Sequence, residues 1–329
     1  MLKGLFILAP QHVNTIYGEP EQRDIRRLVD IYAPPQTPES IQENPALLHD
    51  ADVIFAGWGA PRLDAWFLEH APNLKAFFYG SGSIRGIVTD EFWQRGILIT
   101  SAYAANAVPV AEYCLSQILF SLKHGWRYVR AIERDHKYPP HWEVPGAYDR
   151  TVGLISLGMV GRRTAELLQP FDLHILSYSP ISANGAEELG IELVSLEDVF
   201  RRSDVVSLHT AWLPETEGMI TGAHFRMMKP GATFINSSRG AIVNEPEMIA
   251  VLQERPDLWA ILDVTWPEPP EPDSPLYTLP NVVLTPHIAG SMSEECRRMG
   301  RYMVQELERF LAGEPLRWGV TYEQFQSMA

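Results

Sequence analysis

The sequence is poor in cysteine: Cys114 and Cys296 are the only two in 329 residues. That excludes a disulfide framework and points to a reducing cytoplasm. Positive charge is also scarce, with 27 Lys+Arg against 41 Asp+Glu and a formal net charge of −14. Phosphate binding wants a basic face, so this balance argues against a nucleic-acid or anionic-membrane partner. Long apolar runs are missing as well, and none approaches the roughly 18 residues that cross a bilayer. The opening Met1–Pro10 places a lysine before a short apolar run, but polar Gln11-His12-Val13-Asn14 follows without a small-x-small cleavage site. It reads as a buried first strand, not a secretion signal. What is present is ordinary globular composition, 46% hydrophobic and 21% charged, which excludes a disordered or collagen-like polymer. The length suits roughly two domains.

Short Val/Ile/Phe-rich runs alternate with helical stretches from end to end. Leu2–Leu8, Asp52–Ala56, Leu74–Tyr79, Thr151–Leu157, Leu173–Tyr178, Val205–Leu208, Ala232–Asn236, Ala260–Val264 and Val282–Thr285 lack polar alternation. A parallel sheet covered on both faces requires just that. Ser195-Leu196-Glu197-Asp198 reads as a helix-capping box, and Asn244-Glu245-Pro246-Glu247 offers a cap, an early proline and first-turn acids. The pattern predicts doubly wound parallel-sheet α/β architecture. A long apolar helix is expected over Ala107–Leu122 and a C-terminal one over Glu294–Leu311, the latter packing back on the first domain. The proline-rich stretch Tyr138–Gly146, with Trp142 inside it, reads at first as a domain boundary.

Gly153-Leu154-Ile155-Ser156-Leu157-Gly158-Met159-Val160-Gly161 is a strand entering a glycine turn and then a helix. The dinucleotide fingerprint Gly-x-Gly-x-x-Gly needs a tight turn, close approach of the backbone to pyrophosphate, and close helix–strand packing. Ser156 stands at the first glycine position, while Gly158 and Gly161 fill the others. An anion would sit on the helix N-terminus at Met159 and Val160. The next strand ends at Ser179, where a carboxylate normally takes the ribose hydroxyls of NAD. Serine there removes repulsion toward a 2′-phosphate, yet Pro180-Ile181-Ser182 brings no arginine, and Arg162 is the nearest. NAD(H) and NADP(H) both stay open.

Taken together, the sequence resembles the D-isomer-specific 2-hydroxyacid dehydrogenase family. The likeness is carried by Asn106-Ala107-Val108-Pro109-Val110-Ala111-Glu112, the glycine turn, Ser203–His209, Met228-Lys229-Pro230-Gly231, Ile235–Gly240, Leu262-Asp263-Val264 and Pro286-His287-Ile288-Ala289-Gly290. The resemblance implies a Rossmann cofactor domain, residues 105–290, inserted into a flavodoxin-like substrate domain, residues 1–104 plus 291–329. The active site would lie in the cleft between them, and family members are usually homodimers joined through cofactor domains. Tyr138–Gly146 then becomes an arm of the cofactor domain.

Reducing a 2-keto acid needs a cation for its carboxylate, a proton donor for the nascent alkoxide, and a partner for that donor. The resemblance assigns these to Arg239, His287 and Glu268. An arginine fork pairs with a carboxylate and polarises the adjoining carbonyl. Histidine can give a proton in one direction and take it in the other. The chain has ten histidines, so position and not presence is informative. Glu271 shares the Pro-Glu-Pro setting of Glu268, and spacing from Asp263 favours Glu268. Asp263 would meet the nicotinamide or cap the next turn. Ser237, Ser238, His209 and Gly290 would border the cofactor, and the N–H groups of Ser81, Gly82 and Ser83 would hold the substrate carboxylate. Arg85, Trp58, Tyr103 and Trp266 are candidates for substrate selection, Arg85 through a second acidic group. No metal site is expected. The resemblance implies hydride transfer between a nicotinamide and a 2-keto or D-2-hydroxy acid. The alternative is a corepressor-like, nucleotide-sensing protein of the same fold. A formate-oxidising branch pairs its histidine with glutamine, which Glu268 opposes.

Overall fold

The computed structural model describes residues 1–141, 144–179 and 185–327. Trp142 and Pro180–Ser182 of the sequence reading lie outside them. The chain divides into two compact units: Met1–Asn106 with the segment from Ser291 onward, and Ala107–Gly290. The described part of the proline-rich stretch 138–146 falls inside the second unit and is no boundary.

The first unit carries five strands: β1 (Lys3–Ile7), β2 (Asp30–Ile31), β3 (Val53–Ala56), β4 (Ala76–Tyr79) and β5 (Leu98–Ser101). All pair in parallel, in the order β2-β1-β3-β4-β5, which is the flavodoxin-like order. Successive side chains point to opposite faces, and both faces are covered. Leu5, Ile7, Ile54, Phe77 and Tyr79 enter one core, while Phe6, Val53, Phe55 and Phe78 enter the other. That second core also takes Met299, Met303, Val304 and Leu307 from the helix Cys296–Ala312. Gly300 lets this helix lie close, since a Cβ there would fall 1.9 Å from the carbonyl oxygen of Ile16. Arg301 then reaches Glu21 and Asp24, each at 2.8 Å.

The second unit carries β6 (Arg150–Ile155), β7 (Leu173–Tyr178), β8 (Glu192–Leu193), β9 (Val205–Leu208), β10 (Thr233–Asn236), β11 (Trp259–Leu262) and β12 (Val282–Leu284). Their parallel order is β12-β11-β10-β9-β6-β7-β8. The strand order reverses between β6 and β9, and in such sheets ligands bind outside the carboxyl ends at that switch point. The predicted helix starts are present. Ser195 Oγ accepts from Asp198 N at 3.1 Å, and Asn244 Oδ1 from Glu247 N at 3.3 Å. Among the described residues, no helix is long and apolar enough to cross a membrane.

Strands β2, β5 and β8 are not in the sequence reading. Two of them are two-residue edge pairings, and β5 begins on exposed Leu98 and ends in Thr100-Ser101. β2 and β8 have no hydrophobic run long enough to announce them, whereas β5 has Ile97-Leu98-Ile99-Thr100, a run like Val282–Thr285, which the sequence reading passes over. The helix expected over Ala107–Leu122 begins earlier, at Tyr103, and holds Pro109 inside it.

Candidate active site

The glycine turn leaves the end of β6 at the switch point. Ser156 takes φ +81°, a conformation that glycine adopts freely and other residues at a cost. Gly158 caps the helix Met159–Leu168 without a side-chain hydrogen bond, and nothing lies within 4 Å of where its Cβ would be. The backbone there is open to an approaching anion. The first helical bond runs from Arg162 N to the Gly158 carbonyl at 2.9 Å, so the N–H groups of Met159 and Val160 precede the ladder and face the helix N-terminus. Gly161 is the close-packing position, because a Cβ would fall 2.1 Å from the Ser156 carbonyl oxygen. Ser179 belongs to the turn itself. Its Oγ accepts from Leu157 N at 3.0 Å, and the preceding Tyr178 carbonyl accepts from Ser156 N at 2.7 Å.

His209 follows β9 and donates its backbone N–H to Ile155 O at 2.9 Å. Both ring nitrogens are sealed from solvent and have no hydrogen-bond partner among the described residues. Burial pushes this imidazole down to about 4, so it is neutral near pH 7. Beyond β10, Ser237 Oγ lies 3.0 Å from Cys114 Sγ, and Ser238 Oγ donates to Thr210 O at 2.5 Å. Asn236 at the end of β10 braces this loop, its amide accepting from Ser238 N and donating to Arg239 O, both at 3.0 Å.

Arg239 turns its Nη1 to the Ser238 carbonyl at 2.7 Å. Burial lowers the guanidinium's affinity for its proton, and the Glu268 carboxylate opposes that effect. Glu268 Oε1 and His287 Nδ1 are 2.6 Å apart. Glu268 and His287 are therefore brought together from two separate loops, in the same unit as Arg239. Sequence spacing chose Glu268 over Glu271, and Glu268 is the acid that meets the histidine.

His287 sits at φ +55°. Its backbone N–H reaches the carbonyls of Asp263 and Thr285, both at 3.0 Å. Buried Asp263 builds the rest of that loop, accepting from Thr285 Oγ1 at 2.6 Å, Ile288 N at 2.8 Å and Ala289 N at 2.9 Å. These bonds brace the turn after β12 that carries His287, a role the sequence reading does not give Asp263. Thr285, and Tyr113 bonded to it at 2.9 Å, were not legible as site residues. The position of Thr285 two residues before His287 was the available signal. Gly290 closes this segment at the end of the unit.

In the first unit, the loop after β4 is held by Ser101 Oγ, which donates to the carbonyls of Ser81 and Gly82. Ser81 is buried and Ser83 half-buried. Arg85 has contacts in the C-terminal segment. Its Nη2 donates to Phe325 O and Gln326 O, both at 3.0 Å, and its guanidinium lies over the Phe325 ring. Trp58 packs edge-on with His12, Tyr103 with Trp318, and half-exposed Trp266 with Trp212. Among the described residues, no group of three or more His, Cys, Asp or Glu could hold a metal ion.

Residues 115–289 match the family model for the D-isomer specific 2-hydroxyacid dehydrogenase, NAD binding domain. A D-3-phosphoglycerate dehydrogenase from Archaeoglobus fulgidus is 32% identical over 260 residues, covering 78% of this chain and 49% of that protein. The chain thus spans about half the length of the D-3-phosphoglycerate dehydrogenases it matches. A glyoxylate reductase from Thermofilum pendens is 30% identical over 311 residues, covering 92% of this chain and 91% of that one. Among solved structures, the NAD-complexed D-isomer specific 2-hydroxyacid dehydrogenase from Lactobacillus delbrueckii ssp. bulgaricus superposes with a TM-score of 0.80. It covers 97% of this chain and 100% of that one at 22% identity, a likeness of fold.

Proposed function

Because the chain belongs to the D-isomer-specific 2-hydroxyacid dehydrogenase family, we propose that it is an NAD(P)-dependent oxidoreductase interconverting a small 2-keto acid and its D-2-hydroxy acid. The observation that carries this reading is the His287–Glu268 contact at 2.6 Å in the same unit as the Arg239 guanidinium and the glycine turn. The open backbone at Gly158 and the free helix N-terminus behind it fit a dinucleotide pyrophosphate.

A bound nicotinamide supplies or receives the hydride at substrate C2. Arg239 pairs with the substrate carboxylate and polarises the adjoining carbonyl, a task its planar fork suits. Partly buried, it works where a charge pair is screened less than in water. With Nδ1 engaged by Glu268, His287 presents Nε2 to the carbonyl oxygen and hands over a proton as the alkoxide forms. In the oxidative direction it takes that proton back. Glu268 fixes which nitrogen is presented and balances the imidazolium charge. The N–H groups of Ser81, Gly82 and Ser83 are proposed as further donors to the substrate carboxylate. Ser237, Ser238, His209 and Gly290 are proposed to border the coenzyme.

A homodimer joined through the cofactor-binding unit is part of the same proposal. The helix Gly125–Asp135 in that unit leaves Val129 and Ile132 exposed, each at 36%. A reducing cytoplasm suits two cysteines that are free and buried. The test is oxidation of NADH and NADPH with glyoxylate, pyruvate, hydroxypyruvate and phenylpyruvate. Turnover with at least one is expected. Tight coenzyme binding without turnover of any of them contradicts the proposal.

A further inference from the structure

We propose that Glu245 is a positioning residue for Glu268, an inference that rests on the function proposed above. Glu245 opens the helix Glu245–Glu254, which follows the Arg239 loop by way of the short turn Gly240–Ile242. Acids are common in a first helical turn, where they favour the dipole and its free N–H groups. Glu247 is engaged at helix starts: its Oε2 accepts from Gly222 N, which opens the neighbouring helix Gly222–Met227, and its Oε1 from the side-chain amide of the capping Asn244, both at 2.8 Å. Glu245 turns elsewhere. Its Oε2 accepts from the backbone N–H of Trp266 at 3.1 Å, two residues before Glu268. Half-buried there, its carboxyl is pushed up by burial and eased back by that bond.

The same peptide is gripped from a second side. A Cβ at Gly240 would fall 2.0 Å from the carbonyl carbon of Thr265 and 2.6 Å from Trp266 N. The backbone beside Arg239 is thus pressed against the Thr265–Trp266 peptide, and only glycine permits that approach. Thr265 Oγ1 then donates to the Pro267 carbonyl at 2.8 Å, closing the turn that leads into Glu268. Gly240 sets the distance between the arginine loop and the acid loop, and Glu245 sets the orientation of their shared peptide. A carboxylate must lie within hydrogen-bond reach of its imidazole to fix the ring, and a displacement of an ångström at such a site is felt strongly in rate.

The test compares Glu245→Ala, Glu245→Asp and Glu245→Gln in the wild-type and Glu268→Gln backgrounds. Glu245→Ala removes the acceptor, Glu245→Asp withdraws it by one methylene, and Glu245→Gln keeps an oxygen in place. Glu245→Ala is expected to lower kcat by about tenfold while the KM of the 2-keto acid stays within about twofold, since the lost interaction matters in the transition state. The NADH dissociation constant, read by fluorescence titration, should be unmoved. Glu245→Gln should recover most of the rate, and Glu245→Asp carries the comparison should the alanine variant not fold. In the Glu268→Gln background, removing the Glu245 acceptor should add little further loss, because residues acting through one another are not additive. Equal losses in both backgrounds, no recovery by glutamine, or a rise in KM with kcat unchanged overturns the proposal. A wild-type protein inactive on every 2-keto acid would instead overturn the function it rests on. An active wild type with an unaffected Glu245→Ala variant overturns this inference alone.

Discussion

The carbonyl oxygen of Ser156 occupies the place where any residue but glycine at position 161 would put its Cβ, 2.1 Å away. One of these residues is strained and the other has no side chain, and together they shape the turn at the switch point. Ser156 holds φ +81° without the glycine that this conformation favours. Ser156→Gly should relieve left-handed strain of about 1 kcal/mol, partly offset by the greater freedom of glycine in the unfolded chain. A small rise in melting temperature with unimpaired NADH binding is expected, and a fall contradicts it. Gly161→Ala should force the turn apart, destabilise by roughly 1–3 kcal/mol as an overpacked site does, and weaken coenzyme binding in a thermal-shift titration.

His209 makes stability depend on pH. Burial depresses its folded-state value to about 4 from an ordinary 6.5, so between those limits the unfolded chain binds the proton and the folded chain does not. Its contribution is complete above pH 6.5 and is lost as pH falls toward 4, an effect of about 3 kcal/mol. Urea unfolding across that window should show a shallower decline for His209→Asn than for the wild type. Parallel curves contradict the assignment.

Glu306 is only 1% exposed, and its carboxylate accepts from Arg317 N at 3.2 Å and Trp318 N at 3.0 Å. These bonds hold the segment that pairs with β5, where Ser101 N donates to Trp318 O and Val320 N to Ile99 O. Glu306→Ala orphans two backbone donors and should destabilise by about 2–3 kcal/mol, with Glu306→Gln losing less. Trp318 stacks on Tyr302 at 5.5 Å, so tryptophan fluorescence should report the release. An unchanged unfolding midpoint for the alanine variant contradicts this.

Ser179 governs coenzyme choice if the dinucleotide follows the turn. Ser179→Asp restores an acid that can pair with ribose hydroxyls and repel a 2′-phosphate. The ratio of NADPH to NADH dissociation constants should rise by about tenfold, equivalent to 1.4 kcal/mol. An unchanged ratio removes Ser179 from the ribose site.

Much of this architecture was legible because buried parallel strands must be apolar on both faces, as Ile54 and Phe55 illustrate by entering opposite cores. The resemblance singled out Glu268 and His287, and spacing from Asp263 preferred Glu268 to Glu271; the loops that carry them follow β11 and β12. Strand β5 was missed although Ile97-Leu98-Ile99 gives it an apolar run; its pairing with the returning C-terminal segment at Ile99 and Ser101 is what local sequence does not show. The contacts of Arg85 were equally out of reach, since two carbonyls that accept from it lie 240 and 241 positions away. Glu245 looked like a helix-start acid, because no sequence rule distinguishes it from Glu247 until the Thr265–Trp266 peptide is in place. Local chemistry is written in local sequence, and the bonds between remote loops are not.

The account turns on the imidazole of His287 as the group that moves the proton while Glu268 holds its other nitrogen. The most direct measurement is the rate of NADH loss with a 2-keto acid that the wild type reduces, compared between wild type and His287→Ala, alongside NADH affinity by fluorescence. Removing a general acid should lower kcat by about 10²–10⁴-fold and leave coenzyme binding intact. A variant that reduces the substrate at the wild-type rate would contradict the account.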